Sequence, residues 1–302
     1  MRSVVILVFI GLSAGLLPGA LAAVSVSDDT GREVQLAQPA QRIVSLAPHI
    51  TELLFSAGAG DRVVGAVEYS DYPAAAKKLP RVGSYNAVDM ERILALRPDL
   101  VIAWASGNPP ALIEQLRDLG LTVFLSEPRR FEDVAGNLER LGRLAGTRAT
   151  AQAAADGFRR RLRALHEQYA GRAPVNVFYQ IWHRPLMTVN GEHLISKVIR
   201  LCGGRNVFAD LPVLVPKLDM EAVLAADPQA IVAGVREPGD TSWQQDWRRW
   251  PQLRAVREGH LISVPADLLQ RHTLRILDGA EQLCEALDGV RHDVTSQPSL
   301  SR

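Results

Sequence analysis

One stretch of this chain is written twice. Asp89-Met90-Glu91-Arg92-Ile93-Leu94-Ala95-Leu96-Arg97-Pro98-Asp99-Leu100-Val101-Ile102-Ala103 returns as Asp219-Met220-Glu221-Ala222-Val223-Leu224-Ala225-Ala226-Asp227-Pro228-Gln229-Ala230-Ile231-Val232-Ala233, with Asp, Met, Glu, Leu, Ala and Pro at identical spacing, 130 positions on (221 − 91). Each copy reads as a helix feeding a strand. The aspartate is an N-cap whose carboxylate can accept from a free N–H of the first turn. The glutamate puts negative charge at the positive end of the helix dipole. Ile93, Leu94 and Leu96 supply an apolar face, Pro98 stops the helix, and Leu100 to Ala103 is an apolar run of buried-strand type. One such unit fits many folds; two in register constrain the chain to two similar lobes.

The rest of the sequence supports that division. At 302 residues the chain can fill two domains of about 100–200 residues each. A hairpin is predicted at Val24–Val26 and Val34–Leu36, about the turn Asp28-Asp29-Thr30-Gly31. Strands at 42–46, 63–67 and 122–125 then alternate with helices opening at Thr51, Pro110 and Phe131, the pattern of a parallel sheet covered by helices. Thr147 to Gly171 has no proline and is rich in strong helix formers, so it predicts one helix of about 30 Å joining the lobes. A second run of the same alternation follows: a strand from Val175, a helix from His193 to Leu201, the second copy of the unit, a tryptophan-rich helix near Trp243–Trp250, a strand at 260–264 and a terminal helix from Thr273 to Leu287. The expected fold is α/β, two Rossmann-like lobes with helix-covered sheets and a ligand cleft between them. Its expected boundaries are 23–146, a linking helix at 147–171, 172–290, and a flexible tail at 291–302.

Residues 1–22 read as an export signal, with Arg2, an apolar run from Val4 to Leu17 and an Ala20-Leu21-Ala22 cleavage site; a transmembrane anchor is the alternative. A soluble periplasmic protein beginning near Ala23 is expected. The chain has two cysteines, Cys202 and Cys284. In an exported protein such an isolated pair predicts a disulfide, against the alternative of two buried thiols.

A formal net charge of +1 gives no sign of nucleic acid as a partner. There is no H-E-x-x-H, C-x-x-C, G-x-S-x-G or phosphate-binding glycine motif, so neither a dedicated metal site nor a familiar catalytic site is expected. Glu91 and Glu221 on separate lobes cannot flank one bond. His49, His183 and His272 are read as loop residues that could be solvated or could ligate a haem or cobalt. Tyr69, Tyr85, Trp104 and Trp182 fall near strand ends, where ligands bind in such sheets. Core packing is the alternative for Trp104 and Trp182 above all. Trp243, Trp247 and Trp250 recur at helical spacing and read as packing.

Tyr69-Ser70-Asp71-Tyr72-Pro73, Met90-Glu91-Arg92-Ile93, Arg97-Pro98-Asp99-Leu100-Val101-Ile102-Ala103-Trp104, Cys202-Gly203-Gly204 with Asn206 and Phe208, and Gln282-Leu283-Cys284 together resemble the periplasmic substrate-binding proteins of metal-chelate uptake, within them the corrinoid (cobalamin) branch. The N-terminal hairpin is more similar to haem and siderophore members. The resemblance implies a monomeric carrier, not an enzyme, with no resident cofactor, its corrinoid being cargo for the membrane subunits of an ABC importer. It implies that Glu91 and Glu221 dock the lobes onto that importer. It places Tyr69, Tyr85, Trp104 and the loop Asp267-Leu268-Leu269-Gln270-Arg271 against the ligand. Tyr85 and Val215 stand where the family has cleft tryptophans, and Leu268 and Leu269 replace aromatics. A haem or siderophore carrier of the same fold, and an exported enzyme on this scaffold, are the alternatives.

Overall fold

The computed structural model describes residues 23–296 apart from Pro238. The expected export signal at 1–22 and the last part of the expected tail, 297–302, lie outside the described residues.

Each lobe is built on a four-stranded parallel sheet. In the first, the strand order is Val63–Ala66, Ile43–Ser45, Leu100–Trp104, Val123–Ser126. In the second, it is Gly204–Asn206, Val175–Gln180, Ala230–Val235, Leu261–Pro265. By chain order both sheets run second, first, third, fourth, so the duplication extends to topology. Around the first sheet lie helices α1 (Pro48–Ser56), α2 (Met90–Ala95), α3 (Pro110–Asp118) and α4 (Phe131–Leu144). Helix α5 (Arg148–Tyr169, 22 residues) links the lobes. The second lobe carries α6 (Leu194–Leu201), α7 (Met220–Ala226), α8 (Ser242–Trp247), α9 (Arg254–Arg257), α10 (Ala266–Gln270) and α11 (Ile276–Ser296).

The repeated unit is preserved down to its hydrogen bonds. Asp89 accepts from Arg92 N at 3.1 Å and Asp219 from Ala222 N at 2.8 Å, so both caps form. Both helices exit through a left-handed residue directly before the proline, Arg97 (φ 45°) and Asp227 (φ 36°). The next side chain then tethers the neighbouring strand in each lobe: Asp99 accepts from Gln41 N (2.7 Å) and Arg42 N (3.0 Å), and Gln229 from Asn176 N (2.9 Å).

α5 buries Ala151, Ala155, Phe158, Leu165 and Tyr169. Two arginines on it reach opposite ways. Arg159 pairs with Glu132 and Glu139 of α4, and Arg161 pairs with Asp278 (2.5 Å) and Glu281 (2.7 Å) of α11. Cys202 and Cys284 are disulfide-bonded and wholly buried, tying α6 to α11. Two expectations are corrected. The terminal helix does not stop at Leu287 but continues to Ser296. The tryptophan-rich segment is a short helix ending at Trp247, which is buried beside Phe178. Among the described residues no helix is long and apolar enough to cross a membrane.

Candidate ligand-binding cleft

In a parallel sheet the loops after the strands gather at the carboxyl end. Contacts between the lobes show that these two ends face each other. Arg236, just after Ala230–Val235, sits with its guanidinium 5.8 Å from the ring of Tyr69, in the loop after Val63–Ala66. Arg275 lies over the ring of Tyr72 at 3.8 Å.

The first lobe's rim is made by short loops with buried anchors. Ser70 is fully buried, with its hydroxyl accepting from Thr51 (3.1 Å) and its carbonyl from Arg81 (2.9 Å). Fixing Ser70 drives Tyr69 outward: Tyr69 is 65% exposed and has a φ of 62°, a conformation that a bulky side chain adopts only at a cost. Tyr85 is held by Asn108, which is buried. Its amide donates to the Tyr85 carbonyl (2.5 Å) and the Leu46 carbonyl (3.1 Å), while its oxygen accepts from Trp104 N (2.6 Å). The Tyr85 and Trp104 rings are 6.1 Å apart. Trp104 lies flat over Gly107, where a Cβ would fall 1.8 Å from the indole, so that turn admits only glycine. From the second lobe, Trp182 stands half exposed beside His183 on a hairpin after Val175–Gln180.

Between the rims lies a charged seam that the sequence did not disclose. Glu52 of α1 is 2% exposed and accepts from Arg271 (2.9 Å), from the Thr273 hydroxyl (3.0 Å) and from Arg275 (2.6 and 3.0 Å). Arg271 also pairs with Asp71 of the first lobe (2.6 Å) and Asp267 of its own (3.0 Å). Burial opposes the charge on Asp71, but Arg271's hydrogen bond and charge hold its carboxyl below the usual range. Burial instead pushes Asp267 up, with Asp71 and Glu52 adding to the shift.

Histidines fill the seam deeper in. His272 Nδ1 donates to the Pro128 carbonyl of the first lobe (2.9 Å), which leaves its Nε2 bare; the His193 ring meets it edge-on at 5.2 Å. His193 Nδ1 caps α6 by accepting from Ile195 N (3.2 Å). His49 lies against Trp104, ring centroids 5.4 Å apart. Burial holds His49 and His193 down at about 3 and His272 at about 4. The expectation of loop histidines is therefore corrected for one of the three: His49 lies within α1. His272 is in the loop between α10 and α11, packed against Pro128 of the first lobe, and His183 is exposed.

Of the residues expected at the ligand, Tyr69 and Arg271 touch groups of the opposite lobe, Asp267 pairs with Arg271, and Tyr85 packs beside Trp104. Leu268 is partly exposed and Gln270 exposed. Leu269 is a correction: it is fully buried, with a methyl 2.9 Å from where a Cβ on Gly279 would sit, so it packs under α11 and cannot face a ligand. Val215 packs on the core. Tyr72, Glu52 and Arg275 are the cleft residues that sequence reasoning passed over. A polar groove of about 920 Å3, lined by Asp29, Glu127, Arg129, Arg140 and Glu192 among others, opens elsewhere between the lobes; none of the aromatic rim residues lines it. Glu91 and Glu221 are exposed in the first turns of α2 and α7. Each of those helices precedes a sheet strand and runs against it, so each begins at its sheet's carboxyl end.

Two similar lobes, one linking helix and an aromatic cleft between facing sheet ends define a ligand-capturing protein of the bilobed type. A family model described as periplasmic binding protein matches residues 43–268, and the chain belongs to that family. A protein of Vibrio cholerae serotype O1 named vitamin B12-binding protein is 42% identical over 250 residues, which are 82% of this chain and 90% of that one. The crystal structure of the periplasmic vitamin B12 binding protein BtuF of Vibrio cholerae is similar with a TM-score of 0.77 and 40% identity, over 84% of this chain and 98% of that one. A periplasmic heme binding protein from Pseudomonas aeruginosa is similar at 28% identity and a TM-score of 0.71, over 87% and 95% of the two chains. The family and these relatives are binding proteins, which sets aside the enzyme alternative.

Proposed function

We propose that this chain captures a corrinoid of the cobalamin type in its interlobe cleft, in the periplasm, and delivers it to the membrane subunits of an ABC importer. The observation that carries the reading is the likeness, over nearly the whole length of the relatives, to proteins named for vitamin B12. The cleft suits that ligand chemically. A corrin is a wide, flat, amphipathic ring with amide arms, and the rim offers Tyr69, Tyr72, Tyr85 and Trp182 as partly exposed faces above a polar seam whose charges are internally paired. Glu91 and Glu221, equivalent carboxylates on equivalent helices, suit a partner with two equivalent basic patches.

Calorimetric titration of the purified protein with cyanocobalamin, dicyanocobinamide and haemin tests the ligand. Saturable one-to-one binding of a corrinoid is expected; binding of haemin alone would assign the chain to the haem carriers among its relatives.

A further inference from the structure

The cations of the seam are already answered. Arg271 touches three carboxylates and Arg275 shares Glu52. Arg236 differs. It is exposed, it stands at the carboxyl end of the strand Ala230–Val235 that pairs with strands on both sides, and none of the ion pairs among the described residues uses it. Its contact across the cleft is the face of Tyr69, a residue held outward in a left-handed conformation. An exposed cation over an exposed ring is a weak contact, readily exchanged for a charge-assisted hydrogen bond to an anion. A guanidinium suits phosphate in particular, because its planar fork matches two phosphate oxygens at once.

This bears on ligand discrimination, and it rests on the corrinoid reading above. Corrinoids share the ring and amide arms, but complete ones carry a nucleotide arm joined through a phosphodiester, the one fixed negative group on the ligand's periphery. We propose that Arg236, opposed by Tyr69, is a specificity-determining residue that binds the phosphate of the nucleotide arm and so favours complete corrinoids over those that lack it. The tyrosine face holds the guanidinium over the cleft while the site is empty, and the phosphate takes its place when ligand enters.

Three probes separate the contributions: cyanocobalamin with phosphate and base, cobinamide phosphate with phosphate but no base, and dicyanocobinamide with neither. Arg236→Ala should weaken cyanocobalamin and cobinamide phosphate by about tenfold, the scale of one charge-assisted contact, and leave dicyanocobinamide within twofold. Arg236→Lys should recover part of the loss, and added salt should weaken cyanocobalamin binding in the wild type more than in Arg236→Ala. An equal loss for all three probes would mean that Arg236 only shapes the rim. A loss confined to cyanocobalamin would mean that the base is read, and no loss would remove Arg236 from the site; each overturns the proposal. Should the wild type bind none of the three, the corrinoid reading fails first and the proposal falls with it. Unchanged melting temperatures of the variants establish that affinity, not folding, has been changed.

Discussion

Glu52→Ala is the most informative single change, because it removes one end of two of the three ion pairs across the seam. Glu52 is 2% exposed and accepts four hydrogen bonds, from Arg271, Thr273 and twice from Arg275. Breaking a buried ion pair costs about 3–5 kcal/mol, because the surviving charge is left desolvated. Here the two arginines fare differently. Arg271 keeps Asp71 and Asp267, whereas Arg275 keeps only the face of Tyr72. Arg275's side chain is 20% exposed, so water can relieve part of the loss. The low end of the range then applies, about 3 kcal/mol, which in a chain of this size is a fall in Tm of roughly 6–12 °C. Urea and thermal denaturation of the wild type and variant measure it directly. Adding Arg275→Leu to Glu52→Ala should recover part of the loss, since an apolar pair tolerates burial that a lone guanidinium does not. A cost below about 1 kcal/mol, or no recovery in the double variant, would show that the seam is solvated in solution and does not hold the lobes.

The buried histidines make stability depend on pH. His49 and His193 stay neutral to about 3 and His272 to about 4, whereas unfolded histidine titrates near 6.5. Stability is therefore full above about pH 6.5 and falls as the pH drops toward the folded values, by about 2 kcal/mol per histidine at pH 5; urea midpoints that do not move between pH 7.5 and 5 would refute this. Cys202→Ser with Cys284→Ser removes a bridge spanning 82 residues and should cost about 4 kcal/mol with corrinoid affinity unchanged, because both sulfurs lie in the core; a loss of affinity at constant folding would contradict that. Tyr85→Ala should weaken the bound ligand by about 1–3 kcal/mol in the same titration, and unchanged affinity would remove it from the site. A double Glu91→Gln, Glu221→Gln variant should bind corrinoid normally yet fail to support uptake in cells; normal uptake would leave both residues with helix-dipole roles only.

Much of the fold could be read because its information is local and repeated. The Asp89 and Asp219 caps and the Pro98 and Pro228 stops act within a few residues of themselves, and the structure keeps them even to the left-handed exits at Arg97 and Asp227. The exposure of Tyr69 and Tyr85 was legible for a similar reason, since aromatic residues among polar neighbours have no core to join. Glu52 was not, because its meaning lies with Arg271 and Arg275, more than 200 positions away. Locally it is one carboxylate in an apolar helix. Leu268 and Leu269 fail differently. Read as a loop, both could face a ligand, but Ala266–Gln270 is a helical turn. Neighbours on a helix point about 100° apart, so only one of them can face the cleft.

The parts that hold the lobes together also bear on how this protein binds. A carrier that gained affinity by closing would need a joint that bends cheaply. α5 is continuous over 22 residues, and bending it would strain its own hydrogen-bond ladder. Arg159 fixes it to α4 and Arg161, two positions on, to α11, so each lobe grips the same short length of helix. The seam adds a second attachment well away in sequence, where Glu52 and Pro128 of one lobe meet Arg271, His272 and Arg275 of the other. With two attachments on two different elements, rotation about either one strains the other. The two lobes are thus held in register before ligand arrives. Affinity then has to come from surfaces already in place: aromatic faces displayed by buried anchors such as Ser70 and Asn108, and polar groups whose positions are set by the seam. That arrangement spends little on ordering the site at the moment of binding, and it suits a large rigid ring better than lobes that must wrap around it.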